Sequence, residues 1–170
     1  RVCSRPWTAG CASAHTAAVL SLVCCISCLI FPTTATDTNM QPETEEILSV
    51  TRIDLPDGGF IIEEITETDT ASVARATSTK TGTKTSTRYT ASGTAIFAVK
   101  VTGTFSYTGS SSWATSSSAT VYTYVSSATY VSKNAYYSGS TAYATGTVSY
   151  LGSNTSRTVA LTCSATGVLS

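Results

Sequence analysis

One thiol, a run of carboxylates and scattered serines and lysines are the groups in this 170-residue chain that could do covalent or acid–base chemistry. Cys163, in "LTCSATG", stands alone. The other five cysteines (Cys3, Cys11, Cys24, Cys25 and Cys28) crowd the first 28 positions, and the one histidine is His15. A nucleophilic thiol or serine needs an adjacent base, usually imidazole. A Ser–Lys pair needs a strand–helix junction to present it, and no stretch after residue 35 has a helical period. Zinc calls for several thiolates or imidazoles. All ten carboxylates lie between Asp37 and Asp69. Those able to form an acid–base pair are Asp54, Asp57, Glu63, Glu64, Glu67 and Asp69. Glu63 and Glu64 are neighbours, so on a strand they point to opposite faces, whereas Glu63 and Glu67 share a face with Ile65 between them. A glycosidase needs two carboxylates flanking a cleft, and a calcium loop needs hard oxygen ligands at a set spacing. The sequence shows neither pattern. The expectation is a solvated acidic strand, no catalytic residue, no metal and no cofactor.

The charges must be positioned by something. Acids and bases balance at ten each, yet from residue 70 onward there is no acid and seven bases: Arg75, Lys80, Lys84, Arg88, Lys100, Lys133 and Arg157. They are too dilute for a nucleic-acid footprint. The expected arrangement sets acidic strands beside basic ones. The N-terminus reads as an export signal: Arg1 and Arg5, the apolar run "TAAVLSLVCCISCLIF", Pro32, then small residues that fit cleavage after Ala35. The apolar run is shorter than the ~20 residues of a membrane span, so membrane contact is expected only through this segment before cleavage. This divides the chain into a signal peptide at 1–35, a flexible leader at 36–46 and a β-sandwich domain at 47–170. The exported part would hold Cys163 as its one thiol and no histidine.

Strand patterns fill that domain. Strands are expected near 48–55 and 60–68, flanking "PDGG", where Asp-Gly suits a tight hairpin. Residues 69–82 read as a Ser/Thr-rich connection with an irregular edge strand. In "TKTSTRYTASGTAIFAVKVTGTFSYTG", "TASG" is the turn. The second strand sets Phe97, Val99, Val101, Phe105 and Tyr107 against Lys100, Thr102, Thr104 and Ser106. Gly103, on the apolar face, marks a bulge or a close approach. Further strands are "SATVYTYV", "ATYVSKNAYY", "STAYATGTVSYL" and "RTVALTCSA". The last places Val159, Leu161 and Cys163 on one face. Seven to nine strands imply an all-β antiparallel sandwich, immunoglobulin-like in architecture.

Aromatic residues are the sharpest pointer to function. Trp113, Tyr122, Tyr124, Tyr130, Tyr136, Tyr137 and Tyr143 gather in the second half. Exposed aromatic faces stack on sugars or sit at protein interfaces. More than half of these are expected to pack a sheet face. The candidate ligand-binding residues are Trp113, Tyr122, Tyr124 and Tyr143, with Tyr122 and Tyr124 opposite the aliphatic side of their strand. "NTS" at Asn154 matches a glycosylation sequon. The reading is a secreted, non-enzymatic β-sandwich that binds at or outside the cell surface, a glycan or a protein being the partner. One alternative is a carbohydrate-binding module using exposed Tyr and Trp. A second is a secreted hydrolase using the acids, and a third is a structural or toxin-like exported protein.

The order of a signal peptide, "IDLPDGGFIIEEIT", "YTASGTAIFAVKVTGTFSYTG" and the ending "VALTCSATGVLS" resembles a group of small secreted β-sandwich proteins of Gram-positive, Clostridia-type bacteria, a domain of unknown function. The resemblance spans most of residues 50–170. It implies secretion but no activity. It also implies a second cysteine shortly after the "YTG" turn, near Ala114, pairing with the "LTCS" cysteine. Here that region reads "SSSWATS", so Cys163 would be the retained half of a disulfide. Sharing a face with Val159 and Leu161, it is expected to be buried and inert.

Overall fold

Two-residue alternation of branched and polar side chains, punctuated by Gly-containing turns, favours extended chain throughout. The computed structural model is accordingly all-β. It describes residues 45–74 and 77–170, with the backbone alone over 69–74. Eight strands follow in order: β1 (Glu45–Asp54), β2 (Phe60–Ala74), β3 (Thr77–Tyr89), β4 (Ala95–Tyr107), β5 (Ser112–Thr123), β6 (Ala128–Ser138), β7 (Thr141–Tyr150) and β8 (Ser153–Thr162). Strands β1 to β5 form one sheet in sequential order, sheet A, and β6 to β8 form a second, sheet B. All neighbours are antiparallel. The signal segment and most of the leader lie outside the described residues. Glu45 and Glu46 already belong to β1, so the leader as read from sequence runs two residues too far.

The stretch read as a connection at 69–82 is strand instead: β2 continues to Ala74 and β3 begins at Thr77. Its pattern explains why. Thr77, Thr79, Thr81, Thr83, Thr85 and Thr87 alternate with Ser78, Lys80, Gly82, Lys84 and Ser86. Threonine's branched Cβ suits the extended backbone. The threonine side is the outer face of sheet A, where the hydroxyls of Thr66 and Thr83 meet at 2.7 Å. At "PDGG", Gly58 takes φ +80° and donates its N–H to Leu55 O at 3.0 Å, closing the β1–β2 turn.

The core lies where sheet B covers β4 and β5. Val99, Val101 and Phe105 of β4 meet Ala142, Ala144 and Val148 of β7 and Val159 and Leu161 of β8. Gly103 marks a close approach, as expected. A Cβ there would lie 2.8 Å from the Ala142 Cβ and 2.7 Å from the Phe105 ring. Gly146 on β7 plays the same part from the other side: a Cβ there would lie 2.6 Å from Val121 Cγ2 and 2.7 Å from Val99 Cγ2. Gly146→Val is expected to force the sheets apart and cost about 1–3 kcal/mol, read as a lower urea midpoint. After β8, Cys163 forms an isolated bridge with Leu169, and Leu169 seats over Gly82 beside Ile65. The described residues fall in one compact unit that contains this whole core. β1 contributes nothing to this core and, among the described residues, touches no strand but β2.

Candidate functional site

The paired acids come first, because their positions decide whether a hydrolytic centre is built. Glu63 and Glu67 do share a face, with buried Ile65 between them, and that face looks inward. Bases claim both. The Arg157 guanidinium on β8 donates to Glu63 Oε1 at 2.5 Å and to Ser86 Oγ at 3.0 Å. Lys84 lies 3.3 Å from Glu63, and Lys80 lies 2.7 Å from Glu67. The cause is register: β2 carries the acids and its neighbour β3 the lysines, so diagonal cross-strand pairs form. Asp57 is engaged in the β1–β2 turn, accepting from Gly59 N–H at 3.1 Å and from Arg88. The side chain of Asp69 lies outside the described residues. A cleft of about 170 Å³ opens nearby, lined by Leu55, Ile61, Ser86, Arg88, Phe97 and Arg157 among others, with no carboxylate in its wall. Among the described residues no cluster of three metal-ligating side chains forms.

Cys163 has no exposed surface. Its Sγ–H points to Ser164 O at 3.5 Å, and burial pushes its pKa up. Ala114, the position where the resemblance implies a partner cysteine, is itself buried in the same core cluster. Thiol reagent is expected to leave native Cys163 unmodified and to react fully only after denaturation, as measured by absorbance on labelling. The same shift sets a pH dependence. A thiol held protonated by the fold contributes nothing below its unfolded range, and stability falls as pH rises past that range. The urea midpoint should therefore begin to decline above about pH 8, and Cys163→Ala should remove the thiol's part of that decline.

The aromatic residues overturn the expectation that most would be packed. Trp113, Tyr122, Tyr124, Tyr130, Tyr136 and Tyr137 are all exposed, by 40–53%. Tyr143 is half-buried. The physical reason is strand position. β5 and β6 are the edge strands of their sheets, and the inward positions of the core are already filled by Val, Ala and Phe.

The four candidate residues do not form one site. Trp113 and Tyr122 lie on the outer face of sheet A, opposite Ser106 and Ala98. About 30 Å of strand separates them. Tyr124, just past β5, stacks with Tyr122 at 6.5 Å between centroids, and Lys100 Nζ sits 6.0 Å from the Tyr122 ring. Tyr143 belongs to sheet B. Its neighbour across the ladder is Tyr136 on β6, and the two rings overlap at 4.7 Å with planes 11° apart. Rings that close cannot lie side by side in one plane, so they stand stacked across the strands as a ridge.

Beside that ridge is a feature invisible in any single strand. On β8, the residue opposite Tyr143 is Ala160. Register thus sets a methyl group beside the Tyr143 ring, a step in side-chain height (the shelf) between Ala160 and Tyr143. Hydroxyl pairs close both ends, Thr145 with Thr158 at 2.9 Å and Thr141 with Thr162 at 3.0 Å. Further along, Thr147 pairs with Ser156 at 2.8 Å. By register the rest of this face is Ser132, Asn134, Ser138, Ser149, Asn154 and Thr129, so it carries no charged side chain. Lys133 and Arg157 fall on the other face. Sequence reading named Tyr143 but missed Tyr136 as its partner and Ala160 as the floor. The bulge between Tyr130 and Ser132 shifts the parity of β6 and hides which of its residues join Tyr143.

Comparison with protein-family models, curated proteins and solved structures yields no match for the chain.

Proposed function

We propose that this chain is a secreted, non-enzymatic binding module that acts outside the cell or at its surface, and that its ligand is an uncharged glycan held on the outer face of sheet B. The observation that carries the reading is the shelf at Ala160, walled by Tyr143 and flanked by two hydroxyl pairs on a face without charge. A pyranose ring offers a C–H face to an aromatic wall and hydroxyls to threonines. A charged ligand would find no counter-ion there, so neutral sugars fit this chemistry and anionic polymers do not. The engagement of Glu63, Glu67 and Asp57 with basic partners supports the non-enzymatic part. Two packed antiparallel sheets give such a module rigid faces on which to present side chains, and the resemblance to secreted proteins of Gram-positive bacteria agrees with export.

A protein partner is the second reading. The exposed Tyr122–Tyr124 stack on sheet A favours it, since Tyr is enriched at protein interfaces. Affinity electrophoresis of residues 36–170 in gels containing neutral or anionic polysaccharides separates the readings. Retardation by one or more neutral polymers, unchanged by salt, is expected. Retardation by anionic polymers alone, or by none, would contradict the glycan reading.

A further inference from the structure

β1 is an unusual edge strand. All ten of its residues are exposed, and four are large aliphatics: Ile47 at 60%, Val50 at 59%, Leu48 at 40% and Ile53 at 39%. One edge pairs with β2, and among the described residues no strand pairs with the other. Open N–H and C=O groups beside exposed aliphatics make a template for another strand. The charges of β1 limit which strand can fit.

We infer that the occupant is a second copy of this chain, the two β1 strands pairing antiparallel about a two-fold axis at Ser49. Symmetry and charge select that register. A two-fold axis normal to the sheet sets one residue opposite its own copy, so the choices are few. Leu48 is the extra residue of a bulge between Ile47 and Ser49, and the bulge counts as one position. Through their β2 partners Thr68, Thr66, Glu64 and Ile62, residues Glu45, Ile47, Val50 and Arg52 share the outer face. Centring on Ser49 then sets Glu45 opposite the second copy's Arg52 and Ile47 opposite its Val50, each twice. Centring on Val50 instead opposes Glu45 to Asp54, a like-charge clash. Centring on Thr51 opposes Ile47 to Asp54 and Val50 to Arg52, leaving no aliphatic pair. Arg52 can serve both partners. Its Nε donates to Asp54 at 2.9 Å, which leaves the terminal nitrogens for the second copy's Glu45. The joined sheet has ten strands.

Sedimentation velocity of residues 36–170, from low to high micromolar concentration, tests this. The fragment keeps the whole compact unit and its core. The expected result is a concentration-dependent shift from monomer to dimer, lost in Val50→Lys. Arg52→Glu and Glu45→Arg should each weaken the dimer by about tenfold, and the double exchange Glu45→Arg/Arg52→Glu should restore it. Circular dichroism would establish that each variant keeps its strand spectrum. A monomer at every concentration, or a dimer indifferent to both single charge reversals, would overturn the inference. So would single losses that the exchange fails to rescue.

Discussion

Tyr143→Ala is expected to lower the affinity for a neutral glycan by about tenfold to a hundredfold, and Tyr136→Ala by about tenfold, as measured by titration calorimetry. The difference follows from position. Tyr143 is the wall of the shelf and would touch the sugar directly, whereas Tyr136 stacks behind it at 4.7 Å and holds its ring upright. Removing Tyr136 therefore loosens the wall without deleting it. Ala160→Leu fills the shelf and should abolish binding with both tyrosines intact. The aromatics of sheet A supply the contrast. Trp113→Ala and Tyr122→Ala lie on a different sheet and should leave affinity within about twofold. None of these positions is in the core cluster, so the variants should unfold within about 1 kcal/mol of the parent.

The largest stability effect belongs to Phe105→Ala. Phe105 has no exposed surface, and its ring fills the space that Gly103 leaves open against Ala142. Truncation removes the ring's burial and leaves a cavity between two sheets whose backbones are already close and cannot collapse far. A loss of about 3–5 kcal/mol is expected, a large share of the roughly 5–15 kcal/mol that stabilises a domain. Scanning calorimetry should show the midpoint fall by roughly 10–20 °C. Phe60→Ala provides the comparison. That ring is on the outer face of sheet A, stacked on Tyr89 at 4.9 Å and covered by the Arg52 guanidinium. Its removal opens onto solvent and leaves no enclosed void, so the loss should be smaller.

Much of the fold was legible because a strand's side chains report their face through a period of two. Val99 and Val101, or Ala142 and Val148, could be assigned inward from alternation alone, and Cys163 followed from Val159 and Leu161. The first part of β3, residues 77–82, was read as connection for a chemical reason. Its alternation is threonine against lysine, serine and glycine, polar against polar, so a pattern keyed to apolar residues does not register it. The site was legible only as an inventory. Tyrosines could be counted, but whether they are buried depends on β5 and β6 being edge strands, a property of strand order. The shelf depends on register between three strands, Tyr136 to Tyr143 to Ala160, and the β6 bulge breaks the parity that would have linked the first two. An alanine announces nothing in sequence. It becomes a floor only when a tall ring stands beside it.

The most direct test of the binding face is a ¹H–¹⁵N titration of residues 36–170 with neutral oligosaccharides, namely β-1,4-linked glucose, mannose and N-acetylglucosamine series. At least one series should produce saturable shifts clustered on Tyr143, Thr145, Thr158, Ala160 and Thr162. Absence of shifts with all three, or shifts confined to sheet A around Tyr122 and Lys100, would contradict the assignment of the outer face of sheet B as the glycan site.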